Sequence, residues 1–198
     1  MGEARQTSEP PVHTTYIVCN QSERRSPIAA ICVHSTETLD IPHSADDIRS
    51  VRNWFDNPAS DASSHIGVDG DGRSEVWVHS PKKAWACLDA NPFTCNIEFV
   101  GRAAQPKAAW EENQIRMGAA WAAYWCVKYG IPAQLGSVRN INGLCVCSRK
   151  GIITHKMVTD AGFGSHTDPG PNFPLTDFIQ KVQWYKKNGW YVKRGWVV

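Results

Sequence analysis

The chain lacks any apolar run near the roughly 20 residues that a membrane-spanning helix requires, so membrane insertion is not expected. It also has little net charge: 21 basic residues against 19 acidic ones leave a formal +2. Such a balance gives no broad basic field for a polyanion, and a nucleic-acid partner is not expected. The N-terminal stretch from Met1 to Pro11 is polar and has no apolar core of a secretory signal. The expectation is therefore synthesis in the cytoplasm without a signal peptide, unless another route of export serves the chain. Cysteine itself is not scarce, but paired cysteines at metal-binding spacing are. The seven thiols form an odd set, and Cys145-Val-Cys147 is too tight for a zinc knuckle and has no second pair. Free thiols are expected, with Cys145 and Cys147 as small residues of a strand.

What the chain does contain is enough apolar material for one ordinary domain: 42% of 198 residues. Residues 1–20 read as a disordered or loosely packed lead, 21–187 as the folded domain, and 188–198 as a basic aromatic extension packed on it. Small apolar residues from Ile28 to Val33 predict a buried strand that delivers His34 at its end. Ser44-Ala-Asp-Asp47 predicts a helix start, and that helix runs through Val51, Trp54 and Phe55. An Asp-Gly-Asp-Gly turn between 64–68 and 74–78 predicts a hairpin. Residues 95–101 predict another strand, with Asn96 and Glu98 on one face and Ile97 and Phe99 on the other. Helices are predicted over 108–129 and 176–187. Alternating strands and helices point to an α/β or α+β fold, a central mixed β-sheet flanked by helices. The C-terminal tryptophans and five basic residues after Phe178 allow a wall- or anion-contacting strip; packing on the domain is the simpler reading.

The chemistry lies in His34, in His155 and in His166-Thr-Asp168-Pro-Gly-Pro171. Neutral imidazoles and a carboxylate are zinc ligands, and Pro-Gly-Pro constrains how Asp168 is presented. Ligands drawn from distant segments suit an open catalytic site better than a closed structural one. Such a site also needs a proton carrier, for which Glu98 is the candidate, and a donor to an oxyanion, for which His166 is the candidate. Read from spacing alone, His166 also qualifies as a fourth ligand.

Five stretches resemble the zinc-dependent N-acetylmuramoyl-L-alanine amidases, the amidase-2 group related to peptidoglycan recognition proteins. They are Val33-His34-Ser-Thr-Glu-Thr; Val51-Arg-Asn-Trp-Phe with Ala62-Ser-Ser-His65-Ile-Gly-Val-Asp-Gly-Asp-Gly72; Ala84-Trp85-Ala86 with Asn91; Asn96-Ile-Glu98-Phe-Val-Gly101; and His155 through Asp168-Pro-Gly-Pro-Asn-Phe. They occur in the family's order and cover roughly residues 28–182. The resemblance implies a central sheet with a zinc site in a surface cleft. It implies Zn2+ ligands at His34, His155 and Asp168, a catalytic Glu98, and His166 at the oxyanion. Trp85, Asn91 and His65 are the candidate substrate-binding positions, His65 being readable also as structural. The implied reaction is hydrolysis of the amide between N-acetylmuramic acid and L-alanine, with peptidoglycan as partner and the chain acting as a monomer.

Three departures stand out. His166 replaces a residue that is often Lys, so its charge depends on pH near neutrality. The segment from Lys156 to Ser165 looks longer than the common form and reads as a mobile or cleft-forming loop. Trp85-Ala86-Cys87 has the Trp-Ala form frequent in phage lysins. That form, with the basic aromatic tail and the absence of a signal, suits an endolysin that meets the wall on release at phage lysis. A recycling amidase shares the same core. A peptidoglycan-binding protein without catalysis and a zinc peptidase of the stem peptide are the alternatives.

Overall fold

A computed structural model describes residues 8–190, 192–193 and 196–197. Its strands are β1 (Thr14–Thr15), β2 (Gln21–Glu23), β3 (Ala30–Ser35), β4 (Ile66–Val68), β5 (Ser74–Val76), β6 (Lys82–Ala84), β7 (Thr94–Phe99), β8 (Ser137–Ile141), β9 (Leu144–Arg149), β10 (Gly151–Thr154), β11 (Val192–Lys193) and β12 (Trp196–Val197). Four α-helices accompany them: α1 (Asp46–Phe55), α2 (Glu112–Lys128), α3 (His155–Asp160) and α4 (Leu175–Asn188). The central sheet has the order β1-β5-β4-β7-β3-β10. The neighbours β4, β7, β3 and β10 run parallel, whereas β5 is antiparallel to β4, so the sheet is mixed.

The two faces of β3 and β7 do different work. Ile31, Val33, Ile97 and Phe99 enter the main core with Ile115, Phe178 and Val182 of the helices. Cys32, His34, Asn96 and Glu98 alternate to the other face, and all are buried. Helix α2 is covered nearly all round, since it touches the sheet, α4 and β12. That explains its run of small residues, from Gly118 through Ala119, Ala120, Ala122 and Ala123. At Gly118 even a Cβ would overlap the Phe99 ring. The helix begins at Glu112 rather than 108 because Glu111 is extended and 107–109 form a separate 3-10 turn.

Several sequence expectations meet a different structure. The lead is not loose from Pro11 to Asn20. Thr14 and Thr15 extend the edge of β5, Ser74 Oγ donates to the Pro11 carbonyl, and Asn20 Nδ2 donates to the carbonyls of Phe55, Asn57 and Ala62. Backbone and amide bonds hold this segment, so its polar composition hid its order. Residues 1–7 lie outside the described residues. The segment after His155 is not a loop at first: it is α3, whose N-cap Thr154 accepts from the Met157 N–H. Residues 137–149 form a hairpin of β8 and β9 around Asn142 and Gly143, at φ 53° and 84°. These positive φ values are what an Asn-Gly hairpin turn requires. At the C-terminus, Trp190 and Val197 are buried while Trp184 remains half exposed; Tyr191, Arg194, Gly195 and Val198 are outside the described residues.

Candidate metal centre

The centre forms where β7, β3 and β10 end. Parallel pairing sets His34 directly beside Glu98 and Ile153 beside Cys32, so His155, the first residue after β10, emerges next to His34. Carboxyl ends of parallel strands are the usual place for a site in such sheets, because the chain there turns outward and leaves a crevice. Asp168 arrives from a later loop, held by its own carbonyl, which accepts from the Lys156 N–H at 3.0 Å. The Asp168–Pro169 peptide is cis, and Gly170 turns the chain with its N–H on the Thr167 carbonyl.

Three donors converge. His34 Nδ1 lies 3.1 Å from Asp168 Oδ2 and 3.2 Å from His155 Nδ1, and His155 Nδ1 lies 3.2 Å from Asp168 Oδ1. Ligands of a tetrahedral zinc at about 2.0–2.1 Å sit about 3.3–3.4 Å from one another. The triangle therefore fits a divalent ion, and two neutral imidazoles with one carboxylate are a suitable donor set. Burial opposes a charge on His34, yet the carboxylates of Glu98 and Asp168 raise its pKa well above the usual imidazole value. Burial would likewise raise Asp168, but His155 and His34 hold its carboxyl well below the usual range.

Cys32, His34 and Cys87 form a second donor group that shares His34. Cys32 Sγ and Cys87 Sγ are 3.2 Å apart and both thiols are fully buried. His34, His155 and Asp168 line a cleft of about 490 Å³, and neither cysteine does. Only the first group is placed to meet a substrate.

Glu98 also lines this cleft. Burial pushes its carboxyl up to about 7, with the positive field of His34 acting against that rise. His166 stands on the cleft wall with about half its side chain exposed. Its ring stacks on His155 at 3.9 Å, and its Nδ1 is 3.7 Å from Asp168 Oδ1, so it stays outside the three-donor cluster. Burial first, then His155, lowers its pKa.

The three candidate substrate positions separate. Trp85 lines the cleft, its Nε1 donating to Ser22 Oγ at 3.0 Å. Asn91 does not line it: its Oδ1 accepts from the N–H groups of Ala86 and Cys87 and so supports the Trp85 turn from behind. His65 is fully buried and also absent from the cleft. Its place is taken by Trp54, which reading the sequence missed as a site residue. Trp54 is 58% exposed on α1 and lines the cleft while its neighbour Phe55 enters the core. The available signal was two adjacent aromatics on one helix, about 100° apart around its axis, in a helix with only one apolar face. Arg24 was missed as well: its guanidinium donates to the carbonyls of Lys82, Asn91, Pro92 and Thr94.

N-acetylmuramoyl-L-alanine amidase A of Achromobacter lyticus is 24% identical over 140 residues, covering 65% of this chain and 73% of that protein. Among solved structures, Staphylococcus aureus hydrolase AmiA in complex with its ligand shares the fold with a TM-score of 0.65 at 20% identity, covering 91% of this chain and 86% of that one. The endolysin amidase LysCS of Clostridium intestinale aligns with a TM-score of 0.60 at 17% identity, covering 90% and 99%. The model of the Amidase_2 family, described as N-acetylmuramoyl-L-alanine amidase, matches residues 24–171. With most of its length matched, the chain belongs to the N-acetylmuramoyl-L-alanine amidase family Amidase_2.

Proposed function

We propose that this chain is a zinc-dependent amidase that cuts the bond between the lactyl group of N-acetylmuramic acid and L-alanine of the stem peptide. The observation that carries this reading is the convergence of His34, His155 and Asp168 beside Glu98 at one end of an open cleft. His34, His155 and Asp168 would hold the ion, which supplies Lewis acidity toward the carbonyl and activation of water at neutral pH.

The chain's own residues supply the proton traffic and the orientation. Glu98, with a carboxyl near 7, exists in both protonation states around neutrality. It is suited to take a proton from the attacking water and return it to the leaving amine. His166 lines the cleft beside the donor triangle and is suited to hydrogen-bond the oxygen that gains charge as the carbonyl is attacked. Trp54 and Trp85 offer flat apolar surfaces for the sugar and peptide, and the hydroxyls of Ser35, Thr36 and Thr38 line the same cleft.

Digestion of purified peptidoglycan, with and without a chelator, tests the reading through the masses of the products. Intact stem peptides freed from glycan, lost on chelation and restored by zinc, are expected. Cuts within the stem peptide would replace the amidase with a peptidase, and binding without products would make the chain a recognition protein.

The biological setting we propose is an endolysin that acts as a monomer on the cell wall after release from the cytoplasm during phage lysis. The Trp85-Ala86 form and the fold shared with an endolysin amidase support it. No helix among the described residues is long and apolar enough to cross a membrane. Rapid turbidity loss of permeabilised cells is expected; activity confined to small soluble muropeptides would point to a recycling enzyme instead.

A further inference from the structure

Behind His34 lies a chain of buried polar groups that never reaches the cleft. Asn96 Oδ1 is 3.1 Å from His34 Nε2. The same Asn96 places Nδ2 3.3 Å from His65 Nδ1, and its backbone N–H donates to that nitrogen at 3.0 Å. On the far side of the ring, His65 Nε2 is 3.2 Å from the Lys82 carbonyl. Arg24 Nη2 donates to the same carbonyl at 2.9 Å and to that of Thr94 at 2.8 Å. His34, His65 and Asn96 are each at most 2% exposed.

Heavy-atom positions fix the protons by elimination. A backbone N–H only donates, so His65 Nδ1 must be the unprotonated nitrogen. Arg24 Nη2 also lies 3.1 Å from His65 Nε2, but its two hydrogens go to the Lys82 and Thr94 carbonyls, so His65 Nε2 carries the hydrogen of the neutral ring and points it at Lys82. With an acceptor at His65 Nδ1, Asn96 turns its NH2 toward His65 and its oxygen toward His34. That oxygen only accepts, so His34 Nε2 carries the hydrogen. The lone pair of His34 is then on Nδ1, the atom that faces His155 and Asp168.

We propose that Asn96, held by His65, is a positioning residue that locks His34 in the tautomer whose Nδ1 binds the metal. The inference rests on His34 being a zinc ligand. It assigns His65 and Asn96 a job that neither substrate contact nor core packing provides: the parity of donors and acceptors set by two backbone groups passes through two side chains to the ligand atom. Arg24 anchors the end of the chain by holding the carbonyls around Lys82 and Thr94 in place. Outer partners that fix a ligating imidazole typically contribute 10- to 100-fold in metal affinity.

The test is zinc affinity, measured by competition with a chelating dye, for the full chain and for Asn96→Ala and Asn96→Asp. Asn96→Ala removes the acceptor, and its Kd is expected to rise about 10- to 100-fold. Asn96→Asp keeps an acceptor toward His34 but loses the Nδ2 donor to His65, so it is expected to retain more affinity than Asn96→Ala. Equal affinity for Asn96→Ala and the unmodified chain would overturn the proposal while leaving the zinc reading intact. No zinc binding by the unmodified chain would overturn the zinc reading, and the relay with it. Should either variant fail to fold, the zinc-loaded unmodified chain decides alone. Its nitrogen-15 spectrum is expected to show a His34 Nε2–H protected from exchange, and an unprotected or Nδ1-protonated His34 refutes the lock.

Discussion

His65 gives the sharpest test of the buried polar chain, because its protonation is incompatible with the fold. Burial, then the charge of Arg24, depresses its pKa from 6.5 to about 3; His34 adds a smaller push in the same direction, and the Lys82 carbonyl opposes it. Protonation would also place a hydrogen on Nδ1, against the Asn96 N–H that now donates to it. The folded value lies below the unfolded one, so this stability is fully present above pH 6.5 and is lost as pH falls toward 3. Between about pH 7.5 and about pH 5 the unfolded chain gains most of a proton at this site and the folded chain gains almost none. Linkage makes that loss about 2 kcal/mol. For a chain of this size it corresponds to a fall of about 4–8 °C in Tm. The raw curve also contains opposing contributions: burial raises the Asp40 and Asp69 carboxyls to about 6, which favours the folded state as pH falls. The measurement is therefore a difference, from urea unfolding of the metal-free chain and of His65→Asn at both pH values. Asn keeps an acceptor near the Nδ1 position and cannot titrate, and Asp40 and Asp69 cancel. Whatever the gap between the two chains at pH 7.5, it should shrink by about 2 kcal/mol at pH 5. Parallel pH profiles, within about 0.5 kcal/mol, would refute a His65 kept neutral by its surroundings.

Glu98→Gln removes the proton carrier but keeps the shape, so kcat should fall by about 100- to 10,000-fold with zinc content unchanged; activity near that of the unmodified chain would remove Glu98 from the chemistry. Trp54→Ala should raise KM with little change in kcat and shift unfolding energy by no more than about 0.5 kcal/mol, since the ring is mostly exposed. An unchanged KM on intact peptidoglycan would exclude Trp54 from the cleft's binding surface. His166 has its pKa lowered, so it faces substrate as a neutral donor through the alkaline range, whereas a lysine stays charged up to about pH 10. His166→Lys should therefore raise kcat across the neutral and alkaline range, where only the lysine is charged, and an unchanged kcat there would count against an oxyanion role.

How much of this was legible in the sequence follows from what each feature depends on. The donors His34, His155 and Asp168 stood out because of their residue type, and the strands that carry His34 and Glu98 stood out because of alternation. The sheet core followed from the same alternation, with Ile31, Val33, Ile97 and Phe99 on the helix side. Helix α3 did not stand out: six residues are too short to show a 3.6-residue period, and it is capped by a threonine that also ends a strand. The β8–β9 hairpin is legible in Asn142-Gly143, whose positive φ values suit a tight hairpin turn. The lead was misread because polar side chains say nothing about backbone pairing at a sheet edge. The family resemblance marks His65 and Asn91 as candidate substrate positions, and only their hydrogen bonds place them behind the cleft. The link from His65 to His34 is of a different order. It depends on β7 lying beside β3 in one register, with Asn96 next to Cys32 and Glu98 next to His34. A slip of one residue in that register would turn Asn96 to the helix side and leave the His34 Nε2 hydrogen without an acceptor. Residue types thus announce which atoms are able to bind a metal, but the register decides which nitrogen of His34 is free to do so.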